Sequence, residues 1–393
     1  MKSVKSLEVY YHGRLAGNLA KIDRNRIAFS YAEGWLKEGF SISPFSLPLK
    51  EGVFVAEKPY FNGLFGTFAD SLPDSWGRLL MDRRLRELGI DEGQVGVLDR
   101  LAMIGDTGKG ALTYMPRILE NNDAYDLSDL DQIAEDTRKL IQTQDVENLD
   151  RLYFAGASSG GTRPKINATV DGKEWIIKFP SPQDPPDIGL AEKCYSDCAS
   201  SCGILVPGTR LFPSKKCAGY FGTERFDRGE GGRRIHMLTV AALLELDFTE
   251  PSLDYNSLMK LCKIMTRDDN EEQMRMFRLM CFNVFAHNRD DHSKNFTYLY
   301  DEEKDQWHLS PAYDLTYSNT YFGEQTTSVN GEGKNPGMKD VLAVGKNAGL
   351  PQKFCQKTAE EIKEKADELV KKASSQSATT SRMRNSTFSS LLP

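Results

Sequence analysis

The stretch His287-Asn288-Arg289-Asp290-Asp291-His292-Ser293-Lys294-Asn295-Phe296 follows a strongly apolar segment, Met274 to Phe285, that reads as a helix. In it a carboxylate, Asp290, and an amide, Asn295, stand five positions apart. That pair suits one division of labour: an acid receives a hydroxyl proton, and a neutral amide oxygen completes a Mg²⁺ shell without adding charge. His287 and His292 beside carboxylates offer a transition-metal alternative. With Asp290 and Asn295 already disposed for Mg²⁺, His292 is better read as a hydrogen-bonding brace. A charged loop with no catalytic task is the bland alternative.

Other candidates lie to either side. Downstream, Leu309-Ser-Pro-Ala-Tyr-Asp314-Leu places one carboxylate after a strand-like Trp307–Leu309. Upstream, residues 155–165 read AGASSGGTRPK, with Gly156, Ala157, Ser158, Ser159 and Gly160 between an expected strand ending at Phe154 and another at Ile166–Val170. Glycine lets backbone amides turn towards phosphate oxygens with no Cβ in the way, although neither the Walker nor the dinucleotide spacing is matched. In Glu174-Trp-Ile-Ile-Lys178-Phe-Pro180, Lys178 is either a solvated strand lysine or a clamp for the α- and β-phosphates. As a clamp, its ammonium would be held by Glu192 in the first turn of a helix expected over Leu190–Cys202. Glu192 is equally well explained as a dipole-favoured surface acid. Between lysine and loop, Gly219 to Arg228 reads as a strand entering a Gly-rich turn, where an adenine-binding hinge would fall. The order of loop, lysine, helix acid, Asp/Asn and Asp is that of protein kinases, whose catalytic loop runs H-R-D-x-x-x-x-N. Asn288-Arg289-Asp290 with Asn295 keeps the offset, whereas Tyr313-Asp314-Leu315 matches D-F-G by order and spacing only.

Composition narrows the classes. A chain of 393 residues has room for two or three domains, each with its own core. Fifty Lys+Arg against 56 Asp+Glu give a net charge of −6, so any DNA binding is expected to be indirect. No apolar run approaches the roughly 18 residues that span a bilayer, and MKSVKSLEVYYHGRLAG has neither a continuous apolar segment nor a cleavage site. A cytoplasmic protein without membrane contact is expected. Of the seven cysteines, Cys194, Cys198 and Cys202 are four apart, which fits a reduced helix face and no zinc or iron–sulfur spacing.

The first 118 residues read as a β-rich unit. Leu7–Tyr11 alternates, His12-Gly13 supplies a turn and Leu15–Leu19 returns; Ile27–Tyr31 and Phe45–Leu49 are further strand candidates. A helix follows over Pro73–Leu88, capped by Asp70 or Ser71, with Trp76, Leu79, Leu80 and Leu85 as its apolar stripe. Residues 98–104 look helical and Ala111–Tyr114 closes the unit as a strand. The polar stretch Glu120–Gln144 reads as a connection, and the Ser/Thr-rich sequence from Ala373 as a disordered tail.

At these residues the chain resembles the HipA family, kinase toxins of bacterial toxin–antitoxin modules. The resemblance is carried by LEVYYHGRLAG, Phe45-Ser-Leu-Pro-Leu, Phe68-Ala-Asp-Ser-Leu-Pro-Asp74 and Ile104-Gly-Asp-Thr-Gly-Lys-Gly-Ala-Leu in the first part. In the second part it is carried by AGA…RPK, IIKFP, Thr223-Glu-Arg-Phe-Asp-Arg228, Asp290-Asp-His-Ser-Lys-Asn-Phe296 and Leu309-Ser-Pro-Ala-Tyr-Asp314. It implies an α+β, two-lobed fold related to protein and phosphatidylinositol kinases behind a β-rich amino-terminal domain. The expected divisions are 1–118 for that domain, 119–148 for the connection, 149–226 and 227–372 for the two kinase lobes, and 373–393 for the tail. It also implies transfer of phosphate from ATP, with Mg²⁺, to serine or threonine of a protein of translation such as an aminoacyl-tRNA synthetase, arresting growth. A helix-turn-helix antitoxin would bind the chain and carry it to DNA. By position, Asp290 would be the catalytic base, Lys178 would bind phosphate together with the Gly-rich loop, Asn295 and Asp314 would hold the metal, and Glu224 and Phe226 would lie at the adenine hinge. Where some family members phosphorylate their own serine, two positions before A-G-A, this chain has Tyr153; Ser158 and Ser159 are substitutes. A kinase-fold binding module without turnover and a small-molecule kinase are the alternatives.

Overall fold

The computed structural model describes residues 3–23, 26–58, 60–119, 129–318, 320 and 323–380. Alternation builds the amino-terminal sheet: Leu7, Val9 and Tyr11 of the strand Ser6–Tyr11 face inward and are buried. His12 and Gly13 both take positive φ (47° and 76°), as a two-residue hairpin turn requires, and the chain returns as Arg14–Lys21. The sheet is antiparallel, in the order Phe54–Val55, Ile27–Tyr31, Arg14–Lys21, Ser6–Tyr11, Leu112–Met115.

Two expectations fail here for local reasons. Residues 45–49 form no strand, only a turn with a bridge between Ser43 and Leu47, because Pro44 and Pro48 lack the N–H groups a ladder needs. The Tyr31 hydroxyl holds that turn instead, accepting from the Ile42 amide (3.0 Å) and donating to the Leu47 carbonyl (2.5 Å). The helix Ser75–Glu87 buries Trp76, Leu80, Met81 and Leu85, but neither Asp70 nor Ser71 caps it. Asp70 instead receives the Thr239 amide (2.7 Å) and hydroxyl (2.9 Å), and Ser71 bonds the Tyr114 hydroxyl (2.7 Å). The helix Val97–Ile104 follows, and Leu130–Ile141 is helical within the expected connection; residues 120–128 lie outside the described residues.

Two compact units emerge: Met1–Pro182 with Glu224–Asp247, and Gln183–Thr223 with Phe248–Pro393. In the first, the hairpin Lys165–Val170/Lys173–Lys178 belongs with the amino-terminal sheet rather than apart from it. The reason is a buried charge cluster at Thr223-Glu-Arg-Phe-Asp-Arg228. Asp227 accepts from Arg225 Nε (3.0 Å) and Nη2 (2.8 Å), from Arg228 Nη1 (2.7 Å) and from the Gly110 amide (2.9 Å). Burial opposes its charge, yet Arg225, Arg228 and that amide hold the carboxyl below the usual range. Arg228 and Arg234 then saturate the loop of residues 106–110, donating to the Gly108 carbonyl (3.1 and 2.7 Å); Arg234 Nε also reaches the Gly110 carbonyl (2.8 Å). Glu174 of the hairpin lies 3.3 Å from Arg228 Nε, and its carbonyl takes the Arg225 amide at 2.8 Å.

In the second unit the helix Asn270–Phe285, with Phe277, Met280 and Phe282 fully buried, is packed by Tyr255–Met265 and by the long helix Gln352–Thr380. That long helix enters the stretch expected to be a disordered tail and runs to Thr380; residues 381–393 lie outside the described residues. The helix Ile188–Ser201 lays Cys198 against it, sulfur to Lys365 carbonyl at 3.7 Å, and all seven cysteines are free thiols. Strands Thr297–Asp301 and Gln306–Leu309 pair antiparallel.

Removing one partner of a buried ion pair strands the other charge in a site built to neutralise it, at about 3–5 kcal/mol. Asp227→Ala is therefore expected to lower the stability of the chain by that amount in urea denaturation. An unshifted midpoint would mean that water reaches the two guanidinium groups.

Candidate functional site

The Gly-rich segment is seated on an amino-terminal helix. It is preceded by a helix, Leu149–Gly156, not by the expected strand, because Leu149, Leu152, Tyr153 and Gly156 recur at helical spacing on one buried face. Glycine is required where that helix meets Ser75–Glu87. A Cβ on Gly77 would lie 2.4 Å from the Ala157 carbonyl oxygen, and one on Gly156 2.7 Å from Leu80 Cδ1. Asp74 Oδ2 accepts the Gly161 amide (3.0 Å), Trp76 donates its amide to the Gly161 carbonyl (3.2 Å), and its indole N–H reaches the Lys165 carbonyl (2.8 Å). Asp74 Oδ2 and Lys109 Nζ flank Gly160 so closely that a Cβ there would stand 3.0 Å from each.

Lys165 pairs across the hairpin with Lys178 and donates to the Gly160 carbonyl at 2.5 Å. Lys165, on the R-P-K run, thus joins Lys178 as a second lysine beside the Gly-rich segment. Lys178 is half-buried at its strand's end. Ser158 and Ser159 are both 3% exposed. Ser158 Oγ accepts from Asn167 Nδ2 (3.1 Å), and Ser159 Oγ donates to the Gly156 carbonyl (2.5 Å). Glu224 receives Lys173 Nζ at 2.7 Å, and Phe226 beside it is half-buried.

In the second unit, Asp290 is 61% exposed at its side chain while Asp291 is buried. Asn295 Nδ2 donates to the Asp290 carbonyl at 2.6 Å, which commits the amide nitrogen and leaves its oxygen as the remaining acceptor. His292 Nδ1 accepts the Lys294 amide (3.2 Å), capping the short turn Ser293–Asn295, so a proton on the ring sits at Nε2, 4.0 Å from Asp290 Oδ1. Asp314 is exposed and holds a left-handed φ of 52°. Its neighbour Tyr313 ties it to the loop: the Tyr313 hydroxyl bonds the Lys294 carbonyl (2.5 Å) and the Thr297 hydroxyl (2.6 Å). Glu272 and Arg275 of the Asn270–Phe285 helix fix the strand ahead of it through the Leu309 amide (2.8 Å) and carbonyl (2.9 Å). Asp290, Asn295 and Asp314 thus share one unit and one hydrogen-bonded frame. Glu192, on the helix Ile188–Ser201, is 3% exposed, so it is no surface acid. Among the described residues no group of three or more His, Cys, Asp or Glu has the geometry to hold a metal ion.

Two family models match the chain: the HipA N-terminal domain over residues 7–115 and the HipA-like C-terminal domain over residues 157–372. The chain belongs to the HipA family. A Sinorhizobium fredii relative named "Putative kinase Y4mE" is 26% identical over 351 residues, covering 81% of this chain and 79% of its own. The HipA fold is also that of the Shewanella oneidensis HipA solved with HipB and operator DNA: TM-score 0.69 at 19% identity, over 93% of this chain and 90% of that one. The mixed α+β architecture agrees with that fold. Among the described residues no helix is long and apolar enough to cross a membrane. At the position where some HipA members carry a modifiable serine, Tyr153 is 2% exposed, its hydroxyl 3.4 Å from the Met103 carbonyl.

Asp291, unassigned from sequence, has the most displaced acid of this loop. Burial pushes its carboxyl up to about 7, against hydrogen bonds from Tyr255 and the Thr327 amide that favour the charge. The folded value lies above the unfolded 3.8. Ionisation therefore favours the unfolded chain: stability declines as pH rises from about 4 to about 7 and stays lower above. The thermal midpoint of the wild type is expected to fall relative to Asp291→Asn between about pH 5 and pH 8. A constant offset between the two proteins would contradict this titration.

Proposed function

We propose that this HipA-family chain is an ATP- and Mg²⁺-dependent serine/threonine-protein kinase, the toxin of a toxin–antitoxin module. The observation that carries the reading is the Asn295 amide clipped to the Asp290 carbonyl, which sets an exposed acid and an amide oxygen side by side in the catalytic-loop offset. Asp290 would receive the proton of the acceptor hydroxyl, His292 bracing the turn beside it. The Asn295 oxygen and Asp314 are hard oxygen donors of the kind Mg²⁺ takes while keeping several waters, and the metal would supply charge neutralisation at the phosphates. Lys178 and the amides of residues 156–160 would bind the phosphates, Glu192 would be the acid partner of that lysine as in the kinase order, and the backbone around Glu224 and Phe226 would take the base.

The acceptor fitting the family is a protein of translation such as an aminoacyl-tRNA synthetase. The partner is a helix-turn-helix antitoxin, through which a cytoplasmic chain of net charge −6 would meet DNA indirectly. Self-modification at Ser158 or Ser159 would need the Gly-rich segment to open, since both hydroxyls are buried and engaged.

The test is transfer from radiolabelled ATP with Mg²⁺ to proteins of a cell lysate. Asp290→Asn is expected to lose at least 100-fold of the transfer rate, within the range for a general base, while ATP affinity by calorimetry changes little. Equal turnover would remove the role of Asp290, and no labelled protein with the wild type would favour a binding module that holds its partner without turnover. Phosphoproteomics of cells carrying each form would name the acceptor.

A further inference from the structure

The acid next to Asp290 does something different from Asp290. Asp291 is 1% exposed and every oxygen it presents is matched. Oδ2 accepts the Tyr255 hydroxyl (2.6 Å) and Gln325 Nε2 (3.1 Å), Oδ1 accepts the Thr327 amide (3.0 Å), and its carbonyl accepts the Thr327 hydroxyl (2.5 Å). The backbone continues the pattern. The Arg289 carbonyl takes both the amide (2.9 Å) and the hydroxyl (2.8 Å) of Thr326, and the His287 carbonyl takes the Ser318 amide (3.1 Å). The carbonyls of 287, 289 and 291, and that of Asn288 (3.4 Å from Gln325 Nε2), therefore turn to Ser318 and residues 325–327, while the Asp290 side chain faces solvent.

Both ends are anchored. The Tyr255 hydroxyl receives Asn283 Nδ2 (2.9 Å), and Asn283 Oδ1 receives Asn288 Nδ2 (2.9 Å), tying the loop to two helices. Beyond Thr327, Ser328 exchanges backbone bonds with Leu253 (3.0 Å) and Tyr255 (2.9 Å), and Asp254 accepts the Ser328 hydroxyl and the Gly331 amide, each at 2.8 Å.

We propose that Asp291 is a positioning residue: it clasps residues 325–327 against the loop bearing Asp290, so that the chain following Asp314 must be docked for Asp290 to hold its working orientation. The clasp joins the loop bearing Asp290 to residues 325–327, which follow Asp314 along the chain. Its catalytic consequence rests on the kinase reading above; the clasp itself does not. An unmatched buried acid would be a liability, so the full set of donors around both oxygens marks a built joint.

Two measurements on the full chain test this. In hydrogen–deuterium exchange without nucleotide, Asp291→Ala is expected to speed exchange at least tenfold in residues 287–296 and 325–331 together, with the helix Asn270–Phe285 unchanged. In turnover assays, its kcat is expected to fall at least tenfold with KM for ATP within twofold. Asp291→Asn, which keeps the shape and lets Gln325 turn its amide, should stay within threefold of the wild type. Should Asp291→Ala not fold, the double variant Gln325→Leu/Thr327→Val, which removes both side chains that reach Asp291 from the other side, carries the same expectations. Unchanged exchange over 325–331 would overturn the clasp, and faster exchange with unaltered kcat would overturn the positioning role. A wild type inert with ATP would instead sink the kinase reading, with exchange still deciding the clasp.

Discussion

A carboxylate withdrawn from water must find a donor for each lone pair it turns inward, and the first unit is organised around how Asp227 does so. Its donors come from its own turn, Arg225 and Arg228, and from the Gly110 amide of the amino-terminal domain. Arg228 is left with a spare N–H that closes the Gly108 carbonyl, and Arg234 beside it closes the carbonyls of Gly108 and Gly110. Lys109 is thereby delivered beside Gly160. A turn that sequence reads only as an adenine hinge therefore also fixes, through a loop more than a hundred residues earlier, the ground on which the Gly-rich segment stands.

The second unit solves the same problem with neutral donors. Asp291 is buried among a phenol, an amide side chain and a backbone N–H, all neutral donors. Without a counter-charge the carboxyl keeps its proton to higher pH, whereas Asp227 among arginines keeps its charge. Two acids adjoining family motifs thus differ in ionisation because their neighbours differ.

What was legible in the sequence was local. Period-two alternation gave Ser6–Tyr11, His12-Gly13 its turn, and apolar spacing gave Ser75–Glu87 and Asn270–Phe285. The Asp290/Asn295 offset was legible for the same reason, since both lie on one short loop and one hydrogen bond joins them. Misreadings came where a distant group took over a local one. Pro44 and Pro48 forbid the ladder that the apolar residues 45–49 suggest, and the Tyr31 hydroxyl supplies the missing tie. Asp70 was unavailable as a cap because Thr239, 169 positions away, had claimed it. Asp291 and Lys165 escaped notice because a carboxylate or ammonium acquires its role from partners that only folding brings near.

The seating of the Gly-rich segment on the helix Ser75–Glu87 makes the sequence division and the mechanical one disagree. The two family matches end at 115 and begin at 157, as if modules could be exchanged there. Yet the Gly161 amide and the Lys165 carbonyl, both on the carboxy-terminal side of that seam, depend on Asp74 and Trp76 on the other. A chimera joined at the seam would inherit a Gly-rich loop without its saddle unless the donor helix travelled with it.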